Sequence, residues 1–100
     1  MKKLALLSMA LLVVAVTSAF AADGKSVYQS TCSGCHGADG AKSAGGTQPL
    51  KDLDANTIET MLKGYAEGTQ GGAHKQVMQN IAKRLSDDDR KAVAEYAGSL

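Results

Sequence analysis

Three residues that can bind a metal or react as nucleophiles lie close together in this sequence: Cys32, Cys35 and His36. The chain has only two cysteines and two histidines, so chance would produce this pattern on the order of once in a thousand chains of the same composition. On a helix, positions i, i+3 and i+4 share one face, so the three side chains can point at a single object. The spacing therefore predicts one binding site that uses both thiols and the imidazole.

Three kinds of object suit such a site. In the first, the two thiols add to the vinyl groups of a haem and the adjacent imidazole binds the iron, which is the usual meaning of C-x-x-C-H. The second is a disulfide of thioredoxin type, which belongs with a βαβ unit that this pattern of elements lacks. The third is zinc with His74 as a distant ligand, although zinc sites normally have a second pair of ligands downstream. The pattern favours haem and leaves the other two open.

A haem iron has a second axial position, and its occupant separates an electron carrier from a gas sensor or a peroxidase-like protein. The candidates are Met78, Met61 and His74, besides a vacant position. Met61 falls within an apolar stripe of its helix, where methionine usually fills the core. Met78 lies at the margin of the stripe that contains Val77. Its helix follows a glycine-rich loop, which would let the helix approach from the side opposite His36, and this favours Met78 as the ligand.

The elements that position these residues are short helices joined by glycine-rich loops, so we predict an all-α fold. Asp23, Asp54 or Thr57, and Ser86 are candidate N-caps, and Asp87 to Asp89 suit the positive end of a helix dipole. Residues 37–47 contain four glycines and no large apolar residue, and form a loop. The predicted helices run from 24 to about 33, from a cap at Asp54 or Thr57 to about 65, from about 74 to 85, and from the cap at Ser86 onward. Their predicted buried stripes are Ile58, Met61, Leu62 and Tyr65; Val77, Ile81 and Leu85; and Val93, Tyr96, Ala97 and Leu100.

The first 21 residues have the pattern of an export signal. Two lysines follow Met1, an apolar run covers Leu4 to Val16, and a small-x-small sequence ends at Ala21. The apolar run is too short for a membrane anchor, which needs about 20 residues. We expect cleavage after Ala21, export to the periplasm, no stable anchor afterwards, and a single domain over residues 22–100.

The predicted mature domain has few residues with which to build a core. Beyond the signal it has 17 large apolar residues and neither Trp nor Phe, so a domain of this size is expected to need a cofactor, a metal or a disulfide for stability. Its net charge is near −1, because losing Lys2 and Lys3 leaves 9 basic residues against 10 acidic ones. This charge argues against nucleic-acid binding.

The segments DGKSVYQSTCSGCHGADG, KGYAEG, GGAHKQVMQNIAKRLSDDD and AEYAGSL resemble the small class I bacterial cytochromes c, in particular the cytochrome c-553 group of sulfate-reducing bacteria. The resemblance covers essentially the whole predicted mature chain. It implies one covalently bound haem c, with thioether bonds to Cys32 and Cys35 and with His36 and Met78 as the iron ligands. It also implies that the Pro49 carbonyl accepts a hydrogen bond from the imidazole.

The same resemblance implies crossed N- and C-terminal helices, which would bring Tyr28 against Tyr96. It further implies a monomeric periplasmic one-electron carrier and not an enzyme, with redox proteins as partners, for example a periplasmic dehydrogenase such as formate dehydrogenase. Four lysines flank the loops expected near the haem and are either solvated or part of a docking patch. They are Lys42, Lys51, Lys63 and Lys75.

Overall fold

A computed structural model describes residues 23–43 and 48–100, and within these ranges it contains helices and no strand. The all-α prediction is therefore confirmed. The predicted signal segment and part of the predicted loop, residues 44–47, lie outside the described residues. No helix in the described ranges is long and apolar enough to cross a membrane. The elements are α1 (Gly24–Val27), a π-helical segment (Tyr28–Cys32), α2 (Ser33–His36), a 3-10 turn (Leu50–Asp52), α3 (Ala55–Glu67), α4 (Lys75–Arg84) and α5 (Asp87–Gly98).

The N-terminal helical stretch is continuous from Gly24 to His36, three residues further than the sequence predicted. Its middle widens into a π-helical segment, a deviation that is common near functional sites. The hydroxyl of Ser30 donates to the carbonyl of Ser26 and that of Ser33 to the carbonyl of Gln29, at 2.9 and 2.7 Å. Such bonds compete with the regular helical ladder, and they account for a local change of pitch that apolar periodicity does not reveal.

The first helical stretch crosses α5 at very short range. A Cβ atom on Gly24 would lie 2.2 Å from the carbonyl oxygen of Ala92, so the crossing requires glycine at this position. One turn further on, the rings of Tyr28 and Tyr96 pack with their centroids 5.4 Å apart. The predicted contact between the two terminal helices is confirmed.

Two of the other helices begin at predicted caps. The carboxylate of Asp54 accepts a hydrogen bond from the backbone N–H of Thr57 at 2.7 Å, which makes Asp54 and not Thr57 the cap of α3. The hydroxyl of Ser86 accepts from the N–H of Asp89 at 3.1 Å and caps α5. These bonds satisfy N–H groups that have no partner within the helix.

The buried core differs from the predicted stripes mainly in α4. Val77 is 53% exposed and lines an apolar cavity, whereas Ala82 is fully buried against the other helices. Leu100 lies beyond the end of α5 and is 37% exposed, which also corrects its predicted burial. The buried apolar residues are Tyr28, Ile58, Leu62, Ala82, Val93, Ala94 and Ala97.

Candidate functional site

An apolar cavity of about 260 Å³ lies between the N-terminal helical stretch, the 3-10 turn, α3, α4 and α5. Its walls contain all three residues of the predicted attachment motif, Cys32, Cys35 and His36. They also contain every candidate for the second axial ligand: Met61, His74 and Met78. Residues that are separated by as many as 46 positions in the chain are thus brought to one site by the fold.

His36 is half-buried at the cavity wall, and its ring atom Nδ1 is buried without a hydrogen-bond partner among the described residues. Burial lowers the pKa of the imidazole. The ring is therefore neutral at pH 7, which is the form that can donate a nitrogen lone pair to a metal. A buried polar atom without a partner is costly, and a metal or a hydrogen-bond acceptor beside this ring would remove that cost.

The two cysteines are free thiols in different environments. Cys35 is exposed, whereas Cys32 is half-buried, and burial, followed by the neighbouring Cys35, raises the pKa of Cys32 to about 11. Cys32 is thus protonated at neutral pH. Neither thiol is engaged in a disulfide, so both are available for thioether bonds.

The backbone around His36 is held by three hydrogen bonds. The phenol of Tyr28 donates to the carbonyl of Gly37 at 2.7 Å, and the N–H of Lys42 donates to the carbonyl of His36 at 3.1 Å. Gly37 ends the helix with a φ of +82° and accepts a further bond from the N–H of Gly40 at 3.2 Å. The turn after the motif is therefore closed by hydrogen bonds that fix the backbone at His36 and Gly37.

Pro49 does not line the cavity, although its neighbours Gln48 and Leu50 do. Its carbonyl accepts a hydrogen bond from the N–H of Asp52 at 3.3 Å. The predicted bond from His36 to this carbonyl is not formed in this structure, because the buried Nδ1 atom has no partner among the described residues. Residues 44–47, which lead into Pro49, lie outside the described part of the chain. The contact stays a prediction for the haem-loaded protein.

Zinc is not supported as the occupant of the site. Within residues 23–43 and 48–100, no group of three or more His, Cys, Asp and Glu side chains is arranged to hold a metal ion. His74 is exposed at the start of α4, and although it reaches the cavity wall it does not complete such a cluster.

The four lysines considered as a docking patch are all exposed, and this role stays a prediction.

One part of the site could not be found by sequence periodicity. Leu53 lines the cavity from a short extended segment after the 3-10 turn, where too few residues repeat to give a periodic signal.

A contact outside the cavity wall was also missed. Arg90 of α5 contacts the end of α4. In the sequence this residue is marked by a single basic side chain directly after the three aspartates that begin α5.

The sequence matches the family model for cytochrome c over residues 21–100. The chain belongs to the cytochrome c family. It is similar to the cytochrome c-553 of Nitratidesulfovibrio vulgaris, with 48% identity over 91% of this chain and 89% of the relative. The cytochrome c-553 of Desulfomicrobium norvegicum is 38% identical over 77% of this chain and 95% of its own length. A third relative, named thiosulfate dehydrogenase electron acceptor, from Stutzerimonas stutzeri, is 34% identical over 69% of this chain and 32% of its own length.

As a member of the cytochrome c family, the protein is an electron carrier and not an enzyme, and it binds one covalently attached haem c. The residues present suit that group. The cavity is apolar, as the face of a porphyrin is, two free thiols lie at its wall, and an imidazole with a partnerless nitrogen lies beside them. The cytochrome therefore has partners that exchange electrons with it.

Proposed function

We propose that this cytochrome is a periplasmic one-electron carrier whose haem is bonded to Cys32 and Cys35 and whose iron is held between His36 and Met78. The observation that carries the proposal is that these four residues line a single apolar cavity. In this proposal residues 1–21 are the export signal, residues 22–100 are the mature domain, and the domain acts as a monomer.

Each residue contributes a separate property to electron transfer. The haem supplies an iron that cycles between Fe(II) and Fe(III) by one electron. His36 offers a neutral nitrogen, and Met78 offers a soft sulfur that favours the reduced state. The apolar walls exclude water and disfavour the more highly charged oxidised state, so both factors raise the reduction potential.

Met61 and Met78 are both half-buried and both line the cavity. Met61 lies in α3 beside Leu62 and one turn from Ile58, in an apolar stripe where methionine most often serves as packing. Met78 also packs against the buried core. The preference for Met78 therefore comes from the resemblance to the small class I bacterial cytochromes c, whose distal thioether ligand matches this position.

The exposed side of the site suits brief contact with redox partners. Cys35 is exposed, so a haem bonded to it would have one edge near the protein surface. Small redox interfaces are typically below about 1,200 Å², which allows rapid exchange of partners. We infer that the donor is a periplasmic dehydrogenase, such as formate dehydrogenase. The name of the Stutzerimonas relative, thiosulfate dehydrogenase electron acceptor, supports a dehydrogenase as the donor class.

Substitution of the two methionines tests the ligand assignment. A sulfur-ligated ferric haem has a far-red charge-transfer band, and its ferrous form does not react with carbon monoxide at neutral pH. Met78→Leu should abolish the band and allow rapid carbon monoxide binding, whereas the matched variant Met61→Leu should preserve the wild-type behaviour. The reverse pattern would assign the role to Met61, and rapid carbon monoxide binding by the wild type would exclude six-coordinate ligation.

The location is tested independently by the mass of the exported protein. The periplasmic fraction should contain a species with the mass of residues 22–100 plus one haem. A species in the cytoplasmic fraction that retains residues 1–21 as its main form would refute export.

A further inference from the structure

Arg90 connects two helices at a point remote from the cavity. Its side chain is 13% exposed, although it extends from the first turn of α5. Atom Nη1 donates hydrogen bonds to the carbonyls of Ala82 and Leu85, at 2.8 and 2.6 Å, and Nη2 pairs with the carboxylate of Asp87. The guanidinium therefore binds the end of α4 and the start of α5 at the same time.

These bonds meet a specific need of α4. The last carbonyls of a helix have no partner within it, and they carry the partial negative charge of the helix dipole. Arg90 supplies both donors and positive charge at this end. Nη1 donates to both carbonyls while Nη2 pairs with Asp87, and a lysine ammonium, which has a single nitrogen, cannot occupy both positions.

The opposite end of α4 is attached less closely, because the segment before it is bound by one longer side-chain bond, from the hydroxyl of Tyr65 to the carbonyl of Gly71 at 3.3 Å. The side chain of His74, the residue before the helix, makes no capping hydrogen bond. The preceding segment includes Gly71 and Gly72, and Gly72 has a φ of +122°. Besides its packing against α3, α4 therefore has its shortest side-chain hydrogen bonds at its C-terminal end.

Met78 lies one turn before the anchored residue Ala82 in the same helix. Ala82 is fully buried, whereas Met78 is half-buried and lines the cavity. A regular helix transmits the position of one turn to the next through its backbone hydrogen bonds. We propose that Arg90 is a positioning residue for Met78: by fixing the C-terminal end of α4, it holds the thioether in place and resists its displacement from the haem iron. This inference rests on the proposed ligation by Met78.

Displacement of the thioether by imidazole in the ferric holoprotein measures this effect directly. Arg90→Met removes the donors while retaining an unbranched apolar side chain, and we expect imidazole to bind about tenfold more tightly, which corresponds to about 1.4 kcal/mol. Arg90→Lys retains the charge but has only one nitrogen, which cannot bind the carbonyls and the Asp87 carboxylate together, so roughly threefold tighter binding is expected. Lys91→Met is the matched control, because it removes one positive charge from the next, exposed position of α5. It should leave the affinity for imidazole unchanged.

The outcomes separate positioning from general stabilisation. If Arg90→Met lowers the unfolding midpoint but binds imidazole as Lys91→Met does, Arg90 is only structural and the proposal is wrong. If Arg90→Met does not accumulate as holoprotein, Arg90→Lys decides, and wild-type imidazole affinity in that variant overturns the proposal. A wild-type ferric spectrum without the far-red sulfur band would instead refute the Met78 assignment, and this inference with it.

Discussion

The hydroxyl of Tyr28 donates a hydrogen bond to the carbonyl of Gly37, 2.7 Å away, and so connects a buried ring to the residue directly after His36. The ring of Tyr28 is 1% exposed and also packs against Tyr96 of α5. Burial, reinforced by Cys32, raises the pKa of the phenol, so it remains a donor throughout the neutral range. One side chain thus links the crossing of the terminal helices to the turn that holds the imidazole.

Removing this hydroxyl should destabilise the holoprotein measurably. Tyr28→Phe preserves the ring packing but deletes the donor, and we expect the free energy of unfolding to fall by about 1 kcal/mol in urea titrations. Tyr65→Phe is the control, because the hydroxyl of Tyr65 makes an exposed 3.3 Å bond to Gly71 and its loss should cost less than about 0.5 kcal/mol. Equal effects of the two variants would show that the bond to Gly37 stabilises the protein no more than the exposed bond to Gly71 does.

The crossing of α1 and α5 should not tolerate a side chain on Gly24. In Gly24→Ala the new Cβ atom would overlap the Ala92 carbonyl, and separating the helices should cost at least about 1–3 kcal/mol, as overpacking does elsewhere. Gly34→Ala places the same methyl group in a helix with no atom within 4 Å, and should be neutral or slightly stabilising. Thermal unfolding of the two holoproteins makes the comparison. Similar midpoints would mean that the close approach is not maintained in solution.

The chain without haem should be largely unfolded. An unfilled cavity lowers the free energy of unfolding by about 24 cal/mol per Å³, so a cavity of about 260 Å³ would cost ~6 kcal/mol. The whole free energy of unfolding of a small domain is only about 5–15 kcal/mol. The double variant Cys32→Ala, Cys35→Ala should therefore lose most of its helical circular dichroism. Ser33→Ala, which alters the same turn but retains both thiols, should remain helical. A native-like spectrum from the double variant would show that the polypeptide forms its core unaided.

The cap of α3 should contribute stability that depends on pH. Hydrogen bonds from the backbone N–H and the side chain of Thr57 lower the pKa of Asp54. The folded state therefore favours the carboxylate, so the contribution is complete above the ordinary pKa of aspartate and is lost as the pH falls through the lowered value. Asp54→Asn should match the wild type near neutrality but lose less stability on acidification, because asparagine retains the acceptor and does not ionise.

The contribution of this cap is checked by measuring the free energy of unfolding at a series of pH values from neutral down to about pH 2. Asp54→Ala should be less stable than both the wild type and Asp54→Asn at neutral pH, because it has no acceptor for the Thr57 N–H. If the wild type and Asp54→Asn respond identically to acid, the carboxylate does not contribute through this bond.

Several features followed from the sequence because they depend on short-range chemistry. The grouping of Cys32, Cys35 and His36 and the cap at Ser86 need only residue type and spacing within one or two helical turns. Apolar periodicity likewise identified the helical class and the buried face of α3, including Ile58 and Leu62. The candidate ligands Met61, His74 and Met78 were identified too, and all of them line the cavity.

Other features depend on contacts between segments that are distant in sequence, and only the tertiary structure decided them. Gly24 is required because Ala92 crosses it, and Arg90 binds α4 although it belongs to α5. Ala82 is buried because the other helices cover it, whereas Val77 is exposed because it lines the cavity, and periodicity does not distinguish these two surroundings. Spacing along a chain encodes which residues can share a helix face, but which face is covered depends on the partners that the fold brings against it.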